Sequence, residues 1–225
     1  MLALKQGLSL TNSNNPSGSA WNPTSEASVE AWYQKSVGIT LNGSNVSQWS
    51  DSSGNGLDMV QATAGSQPSY SAGVLTFDGI DDNLTTAGQI SIVGDFTIGV
   101  VINPTSYTGA ILADKTTGGE FIKFFDNTSI RFKIDSGANT DLSLDSGTFA
   151  QSYMVYTRNS GTMSLWYNGV LQADTETLSG TADIDSIGIR YPSNSPLDGT
   201  IEEVQIFSSY SSDLASNVNS YLAAL

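Results

Sequence analysis

The sequence contains no cysteine and no histidine among its 225 residues. Without cysteine, the chain has no disulfide, no zinc–thiolate site and no thiol nucleophile. Without histidine, it lacks the commonest general base, the commonest transition-metal ligand and the base of a Ser-His-Asp triad. These two absences exclude the most frequent forms of nucleophilic and transition-metal catalysis.

Positive charge is also scarce, because 8 lysine and arginine residues stand against 22 acidic residues and leave a formal net charge of −14. Such a chain has few groups with which to displace counterions from phosphates, so we expect no nucleic-acid partner. An acidic surface is repelled by anionic membranes, and no stretch approaches 18 apolar residues. We therefore expect no membrane partner.

The first ten residues, MLALKQGLSL, hold one lysine and an apolar run too short for the central region of a signal peptide. No small-residue cleavage pattern follows them. This start predicts synthesis in a cytoplasm without export by the signal-peptide route.

Short segments rich in β-branched and aromatic residues recur between turn clusters along most of the chain. In MSLWYNG, for example, Met163, Leu165 and Tyr167 recur at the period of two that is typical of a strand. Asn168-Gly169 follows, and this pair is a strong hairpin-turn signal because both positions need positive φ. About a dozen such segments predict an all-β fold, a two-sheet antiparallel jelly-roll sandwich.

Two segments depart from the strand pattern. SSDLASNVNSYLAAL offers Asp213 as an N-cap before apolar residues at helical spacing, which predicts a short C-terminal helix. Residues 1–25 are polar and interrupted by proline, as in an extended arm that cannot bury itself. We expect this arm either to dock on its own domain, residues 26–225, or to be held by neighbouring subunits of an assembly.

Five stretches, in chain order, resemble motifs of the concanavalin A-like lectin/glucanase superfamily, in its laminin-G-like bacterial and phage branch. They are AWYQKSVGITLNGSNVSQWSDSSGNG, LTFDGIDDNL, GDFTIGVVINP, MSLWYNGVLQA and LDGTIEEVQIFSSYSSDLASNVNSYL. The resemblance implies two apposed antiparallel sheets. Lectins, adhesion modules, glycosidases and structural domains share this fold, so the fold does not choose the function. The chain also resembles virion structural proteins of tailed phages.

Glycoside hydrolysis with retained configuration needs two carboxyl groups about 5–5.5 Å apart. The glucanase members of the family place them on one strand as E-x-D-x-x-E, and this string is missing here. Glu202 and Glu203 are adjacent, so on a strand they face opposite sides. Asp183 and Asp185 share a face but lack a third acid. These observations predict that the chain is not an enzyme.

The stretch DSSGNGLD places oxygen-bearing side chains at alternate positions, on Asp51, Ser53 and Asn55, before a glycine that permits a tight bend. In related jelly rolls a structural calcium ion joins this loop to an acidic pair on the last strand, which corresponds to Glu202 and Glu203. The alternative is a loop whose side chains cap its own backbone. Calcium is the one cofactor that the sequence predicts.

Lectin sites stack a sugar ring on an aromatic side chain and hold its hydroxyl groups with polar ones. The sequence offers a set of such residues at strand ends and in loops: Trp166, Tyr167, Asn168, Tyr191 and Asp198. Packing into the core or its rim is the alternative for Tyr191.

Together these features favour a structural protein of a phage particle, either a capsid decoration or a tail-associated surface protein. We expect it to be located in the virion, to form a homo-oligomer and to contact other virion proteins through its N-terminal arm. The alternative is a carbohydrate-binding module that recognises glycans of the host surface.

Overall fold

The structure is a computed structural model that describes residues 20–116, 119–135, 137–190 and 194–225. Within these ranges the chain forms seventeen β-strands and one α-helix. The helix, α1, spans Ser212–Leu222. The strands are β1 (Val29–Tyr33), β2 (Ile39–Asn42), β3 (Asn45–Trp49), β4 (Met59–Val60), β5 (Ser69–Ser71), β6 (Val74–Asp78), β7 (Leu84–Ile92), β8 (Phe96–Pro104), β9 (Ala110–Ala113), β10 (Phe121–Phe124), β11 (Ser129–Lys133), β12 (Thr140–Ser143), β13 (Ser152–Asn159), β14 (Thr162–Tyr167), β15 (Val170–Thr177), β16 (Ala182–Ile187) and β17 (Asp198–Phe207).

All pairings between these strands are antiparallel, and they build two sheets that face each other. The first sheet runs β1–β17–β8–β13–β14–β15, with β6 beside the first half of β17. The second runs β2–β3–β4–β7–β16–β9–β10–β11–β12. The hairpin β5–β6 joins them, because β5 also pairs with β3. The predicted all-β jelly-roll sandwich with a short C-terminal helix is confirmed.

The hairpin β14–β15 shows how the sequence builds this fold. Met163 and Leu165 of β14 are fully buried, whereas the alternate residue Trp166 faces outward and is only partly buried. Asn168 and Gly169 make the turn with φ of 49° and 77°, as a two-residue hairpin loop requires. The period of two and the turn signal are thus both realised.

The main core lies between the two sheets and is built from their inward-facing residues. Its largest fully buried side chains include Trp49, Tyr33, Tyr156 and Phe77. Trp49 packs on Tyr33 with 5.7 Å between ring centroids, and its indole N–H donates to the backbone oxygen of Gln34 at 3.1 Å. The core therefore also satisfies the polar atoms of the aromatic residues that fill it.

A second, smaller apolar cluster covers the outer face of the first sheet, where α1 lies across β8 and β13. A Cβ on Gly99 would lie 2.8 Å from Val218 and 2.9 Å from Leu222, so the helix packs directly on the strand backbone. The N-cap is Ser211, whose hydroxyl accepts the backbone N–H of Leu214 at 3.0 Å. The predicted helix is present, but the predicted N-cap was two residues late.

Residues 1–19 of the predicted arm lie outside the described residues. The described remainder contacts its own domain, because the Trp21 ring lies 6.3 Å from that of Phe207 and 6.0 Å from that of Tyr221. The Trp21 indole N–H also donates to Glu26 at 2.8 Å. This end of the arm therefore belongs to the cluster under α1.

In the described part of the chain, no helix combines the length and apolar character that crossing a membrane requires.

Candidate functional site

A groove of about 290 Å³ lies on the outer face of the first sheet, between α1 and the strands β13 and β14. Two aromatic side chains form its floor, and the helix supplies small and polar side chains along its wall. The lining residues are Tyr153, Trp166, Gly169, Ser216, Asn219, Ser220 and Ala223.

The hairpin turn fixes the two aromatic residues of this groove. The Asn168 side chain accepts the backbone N–H of Tyr153 at 3.1 Å, and the Asn168 backbone N–H donates to the Tyr153 oxygen at 3.0 Å. A Cβ on Gly169 would lie 2.8 Å from the Tyr153 hydroxyl, so only glycine leaves room for that group. The turn that closes the strands therefore also shapes the groove.

Both aromatic residues keep their polar atoms available. Among the described residues, neither the indole N–H of Trp166 nor the hydroxyl of Tyr153 has a hydrogen-bond partner. Asn219 is 8% exposed; its amide nitrogen donates to Ala215 at 2.8 Å, and its buried oxygen has no partner. Aromatic faces beside unpaired donors and acceptors are the chemistry that holds a sugar ring and its hydroxyl groups.

The structure brings Trp166 of the predicted ligand set to this groove but leaves three of the others elsewhere. Tyr167 faces the opposite side of β14, packs on Phe149 at 5.7 Å and donates to Thr148 at 3.5 Å. Asn168 uses its side chain to hold the turn. Asp198 lies on β17, opposite Asp78.

Strand alternation separates Trp166 from Tyr167, so these residues do not share one site, and ligand binding by them stays a prediction. Tyr191 lies outside the described residues. Tyr153 and the helix residues of the groove were missed. The available signal for Tyr153 was the turn at Ser160-Gly161, which sets the register of β13 against β14.

The loop after β3 gives its side chains protein partners. The Asp51 carboxylate accepts the backbone N–H groups of Trp32, Ser53 and Leu57 at 3.0, 2.8 and 3.2 Å. The Ser53 hydroxyl donates to the same carboxylate at 2.7 Å, and the Asn55 amide donates to two carbonyls of the β1 region. These contacts are those of a loop that caps backbone groups, its own and those of β1.

The acidic pair of the last strand is also engaged. Glu202 forms a salt bridge with Lys35 at 2.7 Å. Glu203 is fully buried and accepts the Lys35 backbone N–H at 2.5 Å, the Trp32 indole N–H and the Gln205 amide. Burial raises the pKa of Glu203, and the hydrogen bond from the Lys35 backbone partly opposes this shift. Calcium between this pair and the Asp51 loop stays a prediction, tested by a melting temperature that rises from chelator to millimolar calcium.

Within the described ranges, the acidic side chains that do converge are Asp78, Asp81 and Asp82, whose carboxylate oxygens lie within 4.8 Å of one another. Asp82 accepts the Asp78 backbone N–H at 3.0 Å, and Asp78 accepts that of Ile80 at 2.8 Å. Burial, and next the nearby Asp78 charge, raise the pKa of Asp82 to about 6. The hydrogen bonds are those of a turn whose carboxylates accept backbone N–H groups.

Two further carboxyl groups bind backbone N–H groups between β16 and the segment that links β9 to β10. A Glu120 carboxylate oxygen accepts the backbone N–H of Asp183 at 2.5 Å, although 63 residues separate them in the sequence. Asp185 accepts the backbone N–H of Lys115 at 2.6 Å. Burial raises the pKa of Glu120 to about 7. These two hydrogen bonds tie the segment between β9 and β10 to β16.

The two antiparallel sheets, the closing helix and the aromatic groove define a lectin-like β-sandwich. The chain belongs to the concanavalin A-like lectin/glucanases superfamily, whose laminin G family model matches residues 77–213, more than half of the chain. No curated protein matches the sequence.

Three solved structures illustrate the fold. The chain is similar to a heptameric SAP-like pentraxin from Limulus polyphemus (14% identity, TM-score 0.52, 65% of this chain and 79% of that one). It is similar to a Trypanosoma rangeli sialidase (14% identity, TM-score 0.57, 88% of this chain and 33% of that one). It is also similar to domain 4 of AbnA, a GH43 extracellular arabinanase from Geobacillus stearothermophilus, in complex with arabinotriose. The identity is 14% and the TM-score 0.57, over 85% of this chain and 98% of that one. The chain thus spans about a third of the sialidase but almost all of the arabinanase domain.

These comparisons contradict the prediction that the chain is not an enzyme, because the same fold is present in a sialidase and in an arabinanase. That prediction relied on acids spaced along one strand. The charges of Asp183, Asp135 and Asp114 act on the Glu120 carboxyl group, so acids from separate segments come near one another here without an E-x-D-x-x-E string. At 14% identity the likeness shows the fold, and it assigns no activity to this chain.

Proposed function

We propose that this chain is a carbohydrate-binding domain that holds a glycan in the groove between α1 and β13–β14. The observation that carries the proposal is the pairing of Trp166 and Tyr153, two part-buried aromatic residues whose polar atoms have no partner among the described residues. The superfamily includes lectins by its description, and domain 4 of AbnA was solved with arabinotriose. Both facts are compatible with a sugar ligand.

A glycan array identifies the ligand, and titration calorimetry with the best glycan then measures its Kd. Trp166→Ala removes the stacking surface, and we expect threefold to tenfold weaker binding, since a lost aromatic contact costs about 0.5–1.5 kcal/mol. Val170→Ala is the matched control, because Val170 is an exposed apolar residue of the same hairpin that does not line the groove. Equal Kd values for the two variants would refute the groove as the binding site.

We further propose that the domain is displayed on a phage particle, made in the host cytoplasm and anchored through its N-terminal arm to other virion proteins. The likeness of the sequence to virion structural proteins and the polar composition of residues 1–19 support this proposal. An assembly of identical subunits fits it, and the pentraxin neighbour is heptameric by its title.

Deletion of residues 1–19 tests the anchor and leaves Trp21 in its contacts with Phe207 and Tyr221. We expect the truncated protein to melt at the same temperature as the full chain but to be lost from purified particles. Incorporation at the level of the full chain would contradict the proposal.

A further inference from the structure

A cluster of cations lies on the outer face of the second sheet, opposite the face that carries α1. Lys123 of β10 and Arg131 of β11 are cross-strand partners, so their side chains rise from the same face about 5 Å apart. The Arg190 guanidinium covers the ring of Phe121, 4.7 Å from its centroid, and Phe121 is two residues before Lys123 on the same face. We call Lys123, Arg131 and Arg190 the cationic patch.

This patch gathers three of the 8 cations of a chain whose net charge is −14. Arg131 has a carboxylate partner, because it bonds Asp141 through two nitrogens, both at 2.7 Å. Lys123 contacts a neutral group, the Ser195 hydroxyl, at 3.2 Å. Within the described ranges, neither Lys123 nor Arg190 forms a salt bridge.

Arg190 is the member of the patch with the fewest hydrogen-bond partners. Its guanidinium donates no hydrogen bond to any described residue, and its Nε atom is buried without a partner. Burial and the charges of Arg190 and Arg131 lower the pKa of Lys123, which shows that these cations act on one another. Like charges held this close repel, and a bound anion would relieve both the repulsion and the unpaired donors.

We propose that Arg190 and Lys123 bind the carboxylate of an acidic saccharide on this face of the sandwich. A guanidinium presents a planar fork of donors that matches a carboxylate, and the lysine adds a second charge. Phe125 lies beside the patch, with Arg131 3.6 Å above its ring, and is 44% exposed. It supplies an apolar surface for the sugar ring, which a simple inorganic anion does not need.

This site is independent of the groove at Trp166, which lies on the opposite face. The test uses trigalacturonic acid and its fully methyl-esterified form, whose carboxyl groups are methylated and neutral. Titration calorimetry measures the binding of both at 20 mM and 200 mM NaCl. We expect the acid to bind and the ester not to bind, with affinity for the acid falling at the higher salt concentration.

Arg190→Gln and Lys123→Gln should each weaken binding of the acid at least tenfold. Lys115→Gln removes an equal charge outside the patch, where the Lys115 ammonium bonds the Thr86 carbonyl at 2.7 Å, and should change the Kd less than threefold. Melting temperatures within 3 °C of the wild-type value establish that the variants are folded. Trp166→Ala should leave this binding intact, so failure of the groove and failure of the patch give different results.

Three results would overturn the proposal. The first is equal binding of the acid and the ester. The second is wild-type affinity in the Arg190 and Lys123 variants. The third is complete displacement of the acid by 10 mM sulfate. The last result would assign a site for inorganic anions in place of one for acidic sugars.

Discussion

Glu120 is 7% exposed and faces β16, where it accepts the backbone N–H of Asp183 at 2.5 Å. Its pKa is raised from 4.5 to about 7, chiefly because burial disfavours the charged form. The negative charges of Asp183, Asp135 and Asp114 act in the same direction, and the hydrogen bond from Asp183 opposes them. Glu120 is therefore expected to make folding stability depend on pH.

The sign follows from where the proton resides. Between pH 4.5 and about 7 the folded chain keeps the Glu120 proton while the unfolded chain has lost it, so the free energy of unfolding falls as the pH rises. A displacement of this size corresponds to about 3 kcal/mol at most. Because solvent reaches the site from one side and screens the charge, we expect about 2 kcal/mol.

Glu120→Gln makes the side chain neutral at every pH. We expect the variant to match wild type at pH 5 and to exceed it by about 2 kcal/mol at pH 8, or about 4–8 °C in Tm. Urea unfolding at pH 5, 6, 7 and 8 measures the difference, with the exposed Glu176→Gln as control. A difference that is the same at pH 5 and pH 8 would refute the reasoning.

Two further predictions concern stability, each measured by urea unfolding at pH 7. Gly188 has φ of +89°, and a Cβ there would lie 2.4 Å from the Phe77 ring, whereas Gly147 has φ of +80° and open space around it. Gly188→Ala should lower the free energy of unfolding by about 3 kcal/mol or more, and Gly147→Ala should lower it by about 1 kcal/mol. Equal decreases in the two variants would contradict the steric explanation. Asp51→Ala leaves the backbone N–H groups of Trp32, Ser53 and Leu57 without an acceptor. We expect the free energy of unfolding to fall by about 2–4 kcal/mol. A decrease below about 1 kcal/mol would show that water replaces the carboxylate.

The sandwich was predictable because its signals are local and consistent with one another. Alternation in β14 and the Asn168-Gly169 turn define one hairpin completely, and the ordered motifs identify the superfamily. The N-cap of α1 was displaced by two residues because several serines precede Asp213, and only the backbone geometry shows that Ser211 is the one at the helix start.

The candidate sites were less predictable because they are assembled from distant segments. Trp166 was predicted, but the Asn219 wall of its groove depends on how α1 lies across the sheet, which no local pattern specifies. The cationic patch depends on the register that pairs Lys123 with Arg131. It also depends on a distant segment of the chain that brings Arg190 onto the Phe121 ring. The net charge is a sum over the whole chain and does not predict where cations cluster on its surface.

Trp21 and α1 lie on the same broad face of the sandwich, and the cationic patch lies on the other. A tether that leaves the domain ahead of Trp21 would therefore hold it by its helical side. The β10–β11 side would then point away from whatever the domain is attached to. A ligand carried on an approaching surface would reach that side without any reorientation of the domain, whereas one bound at Trp166 would be close to the attachment.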